Sequence, residues 1–211
     1  MDFILYLPVL IFSVIAHEYA HGYCALRCGD DTAYIMGRLN FNPLKHADLM
    51  GTLIVPLVLY ILHAPMFGWA KPVPVNYYRL QGGRRDMALV AFAGPFTNLA
   101  LMFIAAVLLK VCFMAGFVLP VLIKLLFYTV MINLVLAVFN LIPVPPLDGS
   151  KIISFFMPPA MAAKYLRLER YGFFILLILI LSGGLNYVVT PVFNIIFALV
   201  FKFIGVPYGQ F

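Results

Sequence analysis

The chain has 211 residues, of which 64% are hydrophobic and only 10% charged, and its formal net charge is +6. A soluble domain carries about 25% charged residues, so a water-soluble fold is excluded and the bilayer must be part of this chain's solvent. The basic residues flank apolar stretches, which reads as orientation in a membrane and not as a nucleic-acid surface.

The first apolar segment runs from Phe3 to about Leu26, long enough as a helix to span a hydrocarbon core of about 30 Å. Met1-Asp2-Phe3 lacks the basic region of a signal peptide, so this segment is expected to stay. A polar stretch from Arg27 to Asp48 follows. Within it, Tyr34 to Phe41 partly alternates apolar and polar residues and ends before Asn42-Pro43, predicting a short strand or hairpin.

Met50 to Met66 is apolar but short, with Pro56 in its middle, and Phe67 to Arg85 is a loop punctuated by Gly and Pro. Met87 to Lys110 and Val118 to Ile142 are each long enough to span. The second ends in Pro143-Val144-Pro145-Pro146. From Ala160 a helix lying in the interface is predicted, with Lys164, Arg167 and Arg170 at spacing three. Gly172 to Leu181 and Val189 to Ile204 read as a closing pair of membrane helices around Ser182-Gly183-Gly184.

Basic residues lie on both sides of Met50–Met66: Arg27, Arg38 and Lys45 before it, Lys71, Arg79, Arg84 and Arg85 after it. A crossing there would put one basic loop outside, against the positive-inside rule. A re-entrant segment with an external N-terminus keeps both loops cytoplasmic, provided protein buries its irregular backbone. The expected fold is an α-helical polytopic membrane protein. It has about five spanning helices, a re-entrant or sixth segment, and a small membrane-associated strand region. We expect one domain over 1–211, with a catalytic core at about 3–150 and an interfacial helix and membrane helices at 151–211. No internal repeat is visible. Cys24, Cys28 and Cys112 form no disulfide framework, and the unaccompanied C-x3-C pair reads as packing thiols. The 20 Phe and 12 Tyr read as lipid-facing or packing residues.

The chemistry lies in the first segment. His17-Glu18-Tyr19-Ala20-His21 is H-E-x-x-H. Residues i and i+4 share a helix face, so both imidazoles can grip one metal ion, and Glu18 beside that face can take a proton from the water the metal activates. Ionisable groups in a span are costly and mark function. His17 lies about 14 residues beyond Phe3, roughly 21 Å along the helix and on the order of 10 Å below the cytoplasmic side of the core.

Catalytic zinc usually has three protein ligands and an open position. For the third, His46 and His63 flank the short segment, and Asp148 follows the break Asn140-Leu141-Ile142-Pro143-Val144-Pro145-Pro146-Leu147. The prolines end the helix and Gly149 permits a tight turn, which can aim Asp148 back into the bundle. Chemistry alone ranks Asp148 above His63 without deciding between them.

His17 to Gly22, Gly94-Pro95-Phe96-Thr97-Asn98 and the run from Asn140 to Gly149 together resemble the site-2 protease family of intramembrane metalloproteases, peptidase family M50. The resemblance covers about Ile11 to Ser150. Phe67 to Asn76 further resembles the small bacterial branch without PDZ or CBS domains. The resemblance implies one zinc ion per chain on His17, His21 and Asp148, with Glu18 as general base and acid. It implies that Asn140 holds the substrate backbone or the oxyanion, a role that suits a preorganised amide donor. Asn98 is a weaker candidate for the active-site wall, beside a reading as a helix-packing amide. Gly94-Pro95 is expected to set close packing or a bend. Ser150 stands where family members often have Gly, and being small is expected to matter little.

The implied activity is hydrolysis of peptide bonds within or near transmembrane segments, in a bacterial inner membrane with the site toward the cytoplasm. The implied partners are the substrate segment and the lipid bilayer. Such a protease must first unwind the substrate, and the expected strand, or the loop carrying Trp69, would offer an edge to pair with it. Two alternatives predict other features. A non-catalytic zinc- or helix-binding protein has no need of Glu18, and a metal transporter would usually show repeated halves.

Overall fold

In the computed structural model, residues 2–55, 58, 61, 70–117 and 119–205 are described. Helix α1 is Asp2–Arg27, followed by two single turns, α2 Thr32–Ile35 and α3 Pro43–His46, and a π-helical turn at Leu49–Ile54. An irregular segment with a 3-10 turn at Tyr77–Arg79 leads into α4 Arg84–Met114 and α5 Pro120–Asn140. The remainder is α6 Asp148–Phe156, α7 Pro159–Leu166, a 3-10 turn Arg167–Tyr171, α8 Gly172–Leu181 and α9 Gly184–Ile204. His63, Trp69 and most of the expected re-entrant segment lie outside the described residues.

Among the described residues, three helices are long and apolar enough to cross a membrane: α1 from Ile4, α4 and α5. The sequence predicts five. Helix α8 has only 10 residues, about 15 Å, and Gly183 at φ 70° separates it from α9, whose 21 residues include the apolar stretch Val189–Ile204. Helix α8 is therefore too short to cross a hydrocarbon core of about 30 Å by itself.

Helix α4 is the centre of the bundle and packs against α1, α5, α6 and α9. Lipid is as apolar as leucine, so helices in a membrane associate through close packing, which small residues permit. Ala91, Gly94, Ala105 and Ala106 of α4 are all buried. Ala105, Ala106 and Leu109 meet Ile123, Leu126, Val130 and Leu134 of α5 and Ile204 of α9. Large apolar side chains such as Phe103, Ile104 and Val121 stay exposed on the outer faces, as a lipid-solvated surface requires.

The expected strand at Tyr34–Phe41 is absent, and no strand occurs among the described residues. Asp30, fully buried, accepts from Thr32 N at 3.1 Å and from its hydroxyl. This starts a helical turn instead. Gly37 at φ 61° then reverses the chain, and Arg38 N closes the turn on Ala33 O at 2.9 Å.

Candidate metal centre

His17 and His21 sit one turn apart on the face of α1 that meets α4. Their Nε2 atoms are 3.0 Å apart, and each lies 3.2 Å from Asp148 Oδ2. Zinc bonds of about 2.0–2.1 Å in a tetrahedron separate ligand atoms by roughly 3.3 Å. The cluster fits that spacing and leaves a fourth direction for water.

The other ring nitrogens decide which atoms carry lone pairs. His17 Nδ1 meets Asn98 Oδ1 at 2.6 Å, and His21 Nδ1 meets the Val90 carbonyl at 2.7 Å. Both partners are acceptors, so both Nδ1 atoms are protonated and both Nε2 atoms present lone pairs to the same point. Orienting partners of this kind are what a histidine metal ligand needs. Three such donors facing one another form a cation site, and two imidazoles with a carboxylate suit zinc.

Helix α4 is shaped to receive the rings. A Cβ on Gly94 would lie 2.4 Å from His21 Nε2 and 2.6 Å from His17 Cε1. Pro95 has no N–H to give Ala91 and crowds that carbonyl, which loosens the helix at the turn where Val90 O accepts from His21. The Gly94-Pro95 pair thus sets a close approach, as its motif suggests.

Asp148 arrives from the opposite side. It is the first residue of α6, directly after the N-cap position Leu147. The sequence reading gave Gly149 the task of a tight turn. Its actual constraint is space, because a Cβ there would sit 2.3 Å from Leu141 O. Ser150 is buried and its hydroxyl donates to Leu147 O at 2.6 Å, so the extra side chain is accommodated.

Glu18 is half-buried, and its Oε2 accepts the Val73 N–H at 2.8 Å. Asn140 ends α5 and donates one amide hydrogen to Leu136 O at 2.9 Å on its own helix, so it is not joined to the metal-ligand cluster by a hydrogen bond. His46 is buried away from that cluster, with Nε2 donating to Asn40 O at 2.9 Å, and is a loop clamp. Sequence reasoning missed the Val90 carbonyl and the Val73 amide, because backbone groups leave no trace in residue identity.

The comparisons with known proteins bear on the same residues. The model of "Peptidase family M50" matches residues 117–183, a stretch that contains Asp148. A Bacillus subtilis protein named "Putative zinc metalloprotease YwhC" is 39% identical over 208 residues, which is 92% of each chain. The chain belongs to peptidase family M50. As an M50 peptidase it is a metalloprotease, and its resemblance to the site-2 proteases rests on more than the three motifs. Two mycobacterial relatives, both named Rip2 with the same description, come from Mycolicibacterium smegmatis and Mycobacterium tuberculosis. They are 26% and 27% identical, covering 87% of this chain and 69% of theirs. No solved structure matches this M50 chain.

Proposed function

We propose that this M50 peptidase hydrolyses peptide bonds within or beside the transmembrane segments of membrane proteins. The observation that carries the reading is the convergence of His17, His21 and Asp148 between three helices, α1 among them being long and apolar enough to cross a membrane. A triad of this polarity is tolerated at such a depth when it has a functional partner.

His17 Nε2, His21 Nε2 and Asp148 would hold zinc, which when bound would lower the pKa of a water to about 7 and polarise the scissile carbonyl. Glu18 takes the proton of the attacking water. As the water oxygen bonds to the carbonyl carbon, the carbonyl oxygen gains negative charge. The C–N bond then breaks, and Glu18 hands its proton to the leaving amine. The second amide hydrogen of Asn140 donates to the developing oxyanion. The Val73 N–H holds the Glu18 carboxylate in one orientation. The substrate must be extended to expose its carbonyl, so helix-breaking residues favour cleavage.

In this reading α8 and α9 close a five-span bundle, the N-terminus lies outside, and the site opens toward the cytoplasm of a bacterial inner membrane. The partners are a single transmembrane segment and the surrounding lipid.

The test is cleavage of a panel of single-pass helical substrates in liposomes by purified protein and by Glu18→Gln, with zinc measured in both. Cutting by the wild type alone, with zinc in both, is the expected result. A Glu18→Gln protein that cuts at the wild-type rate would remove Glu18 from the reaction. Wild type prepared without chelators and devoid of zinc would overturn the metal centre.

A further inference from the structure

Behind His17 lies a closed set of polar groups that touches no other metal-ligand candidate. Asn98 on α4, Asn133 on α5 and Ser13 on α1 are each fully buried. Asn98 Nδ2 donates to Asn133 Oδ1 at 2.8 Å and to the Ser13 carbonyl at 3.4 Å. Asn133 Nδ2 donates to Ser13 Oγ at 2.9 Å and to the Thr129 carbonyl at 2.9 Å. Each amide nitrogen has two hydrogens, and all four are used.

The direction of every bond follows from two backbone carbonyls, which can only accept. Thr129 O requires the nitrogen of Asn133, so the Asn133 oxygen faces Asn98. That oxygen and Ser13 O both require the nitrogen of Asn98, so the Asn98 oxygen faces His17. His17 Nδ1 must then carry the proton, and Nε2 is left with the lone pair that faces Asp148. Turning the Asn98 amide over would oppose acceptor to acceptor at two contacts. It would also move the His17 proton to Nε2, where it blocks a metal bond.

We propose that Asn133 is a positioning residue for the metal: it fixes the direction of the Asn98 amide and, through it, the tautomer of His17 that can bind zinc. This rests on the reading of His17, His21 and Asp148 as the zinc ligands. It gives α5 a part in the centre although none of those ligands lies on it. A polar residue in the middle of an apolar span is unfavourable without such a task.

The experiment measures zinc affinity by chelator competition in detergent, together with thermal unfolding of the zinc-free protein. His17→Ala calibrates it and should abolish tight binding. Losing an orienting partner of a metal ligand costs about 10–100-fold in affinity, which is the expectation for Asn98→Leu. Asn133→Leu should weaken zinc by roughly tenfold. Because Asn133 acts through Asn98, the double variant should bind zinc no more weakly than Asn98→Leu alone. Thr129→Val serves as a control on the same helix. Its hydroxyl bonds Leu125 O within α5, outside the polar set, and affinity should not change.

A folded Asn133→Leu protein that loses thermal stability but keeps wild-type affinity would reduce Asn133 to a packing amide and overturn the proposal. Additive losses in the double variant would do the same, since they remove the path through Asn98. Should the leucine not fit, Asn133→Ala only deletes atoms and is judged by the same outcomes. If His17→Ala retains zinc, the site assignment itself fails, and the proposal fails with it.

Discussion

At Gly94 the absence of a methyl group decides whether two imidazoles can face one point. A Cβ there would press on His21 Nε2 and His17 Cε1, and neither ring can retreat, because Asn98 and Val90 hold their far nitrogens. Gly94→Ala should therefore weaken zinc binding at least tenfold. The zinc-free fold meets the same clash, which should outweigh the about 1 kcal/mol by which alanine is better than glycine in a helix. Zinc content after dialysis and the thermal unfolding temperature of the metal-free protein should both fall. Full zinc occupancy in the variant would refute the steric account. His17, Glu18 and His21 were legible in the sequence because helical spacing is a local property. Asp148 could only be ranked, since the fold of the Pro-rich break decides where it points. Asn98 reads in the sequence as wall or packing, and its bond to His17 needs two helices to be visible.

Helix α6 is a short element with a large responsibility, because its first residue is Asp148. Its other end is held by Arg84 of α4, whose guanidinium donates to the carbonyls of Ser154, of Phe155 at 3.1 Å and of Met157 at 2.6 Å. A cation at a helix C-terminus satisfies orphan carbonyls and complements the dipole. Arg84→Met should cost about 1.5–3 kcal/mol, the range for hydrogen bonds to charged groups. Hydrogen exchange in the last turns of α6 should rise while exchange in α5 stays constant. Equal protection of α6 in both proteins would show that the clamp contributes nothing there. In the sequence Arg84 was legible only as one more basic loop residue. The long helices were legible within a few residues, because their apolar runs exceed anything a loop tolerates. The strand expected over Tyr34–Phe41 does not form, because the alternation there is weak and a single buried carboxylate, Asp30, organises the chain into a turn.

The polar segment and the spanning helix that carries Glu18 form one mechanical unit across a long separation in sequence. Asp30 accepts Asn76 N at 2.6 Å, Arg38 donates to Lys71 O at 3.1 Å, and Lys71 N reaches His46 O at 2.9 Å. Between these anchors the chain is drawn over α1, where Gly22 leaves room for the Val73 side chain and the Val73 amide binds Glu18. Composition announces the membrane class of the whole molecule. It says nothing of this strap, whose bonds each use a backbone group of the segment and which is anchored by residues that read as loop charges. The strap predicts coupling between a buried carboxylate and the proposed base that it never touches. In Asp30→Ala the Asn76 anchor is lost, the segment loosens, and Glu18 loses its oriented partner. A charge-assisted bond of this kind is worth about 1.5–3 kcal/mol, so turnover should fall by roughly 10–100-fold. Zinc content should not change, because none of the three ligand candidates depends on the segment. Single-turnover cleavage and zinc analysis on the same preparation would separate the cases. Unchanged cleavage would show that Glu18 needs no strap, and parallel loss of zinc would show that the segment supports the metal centre instead.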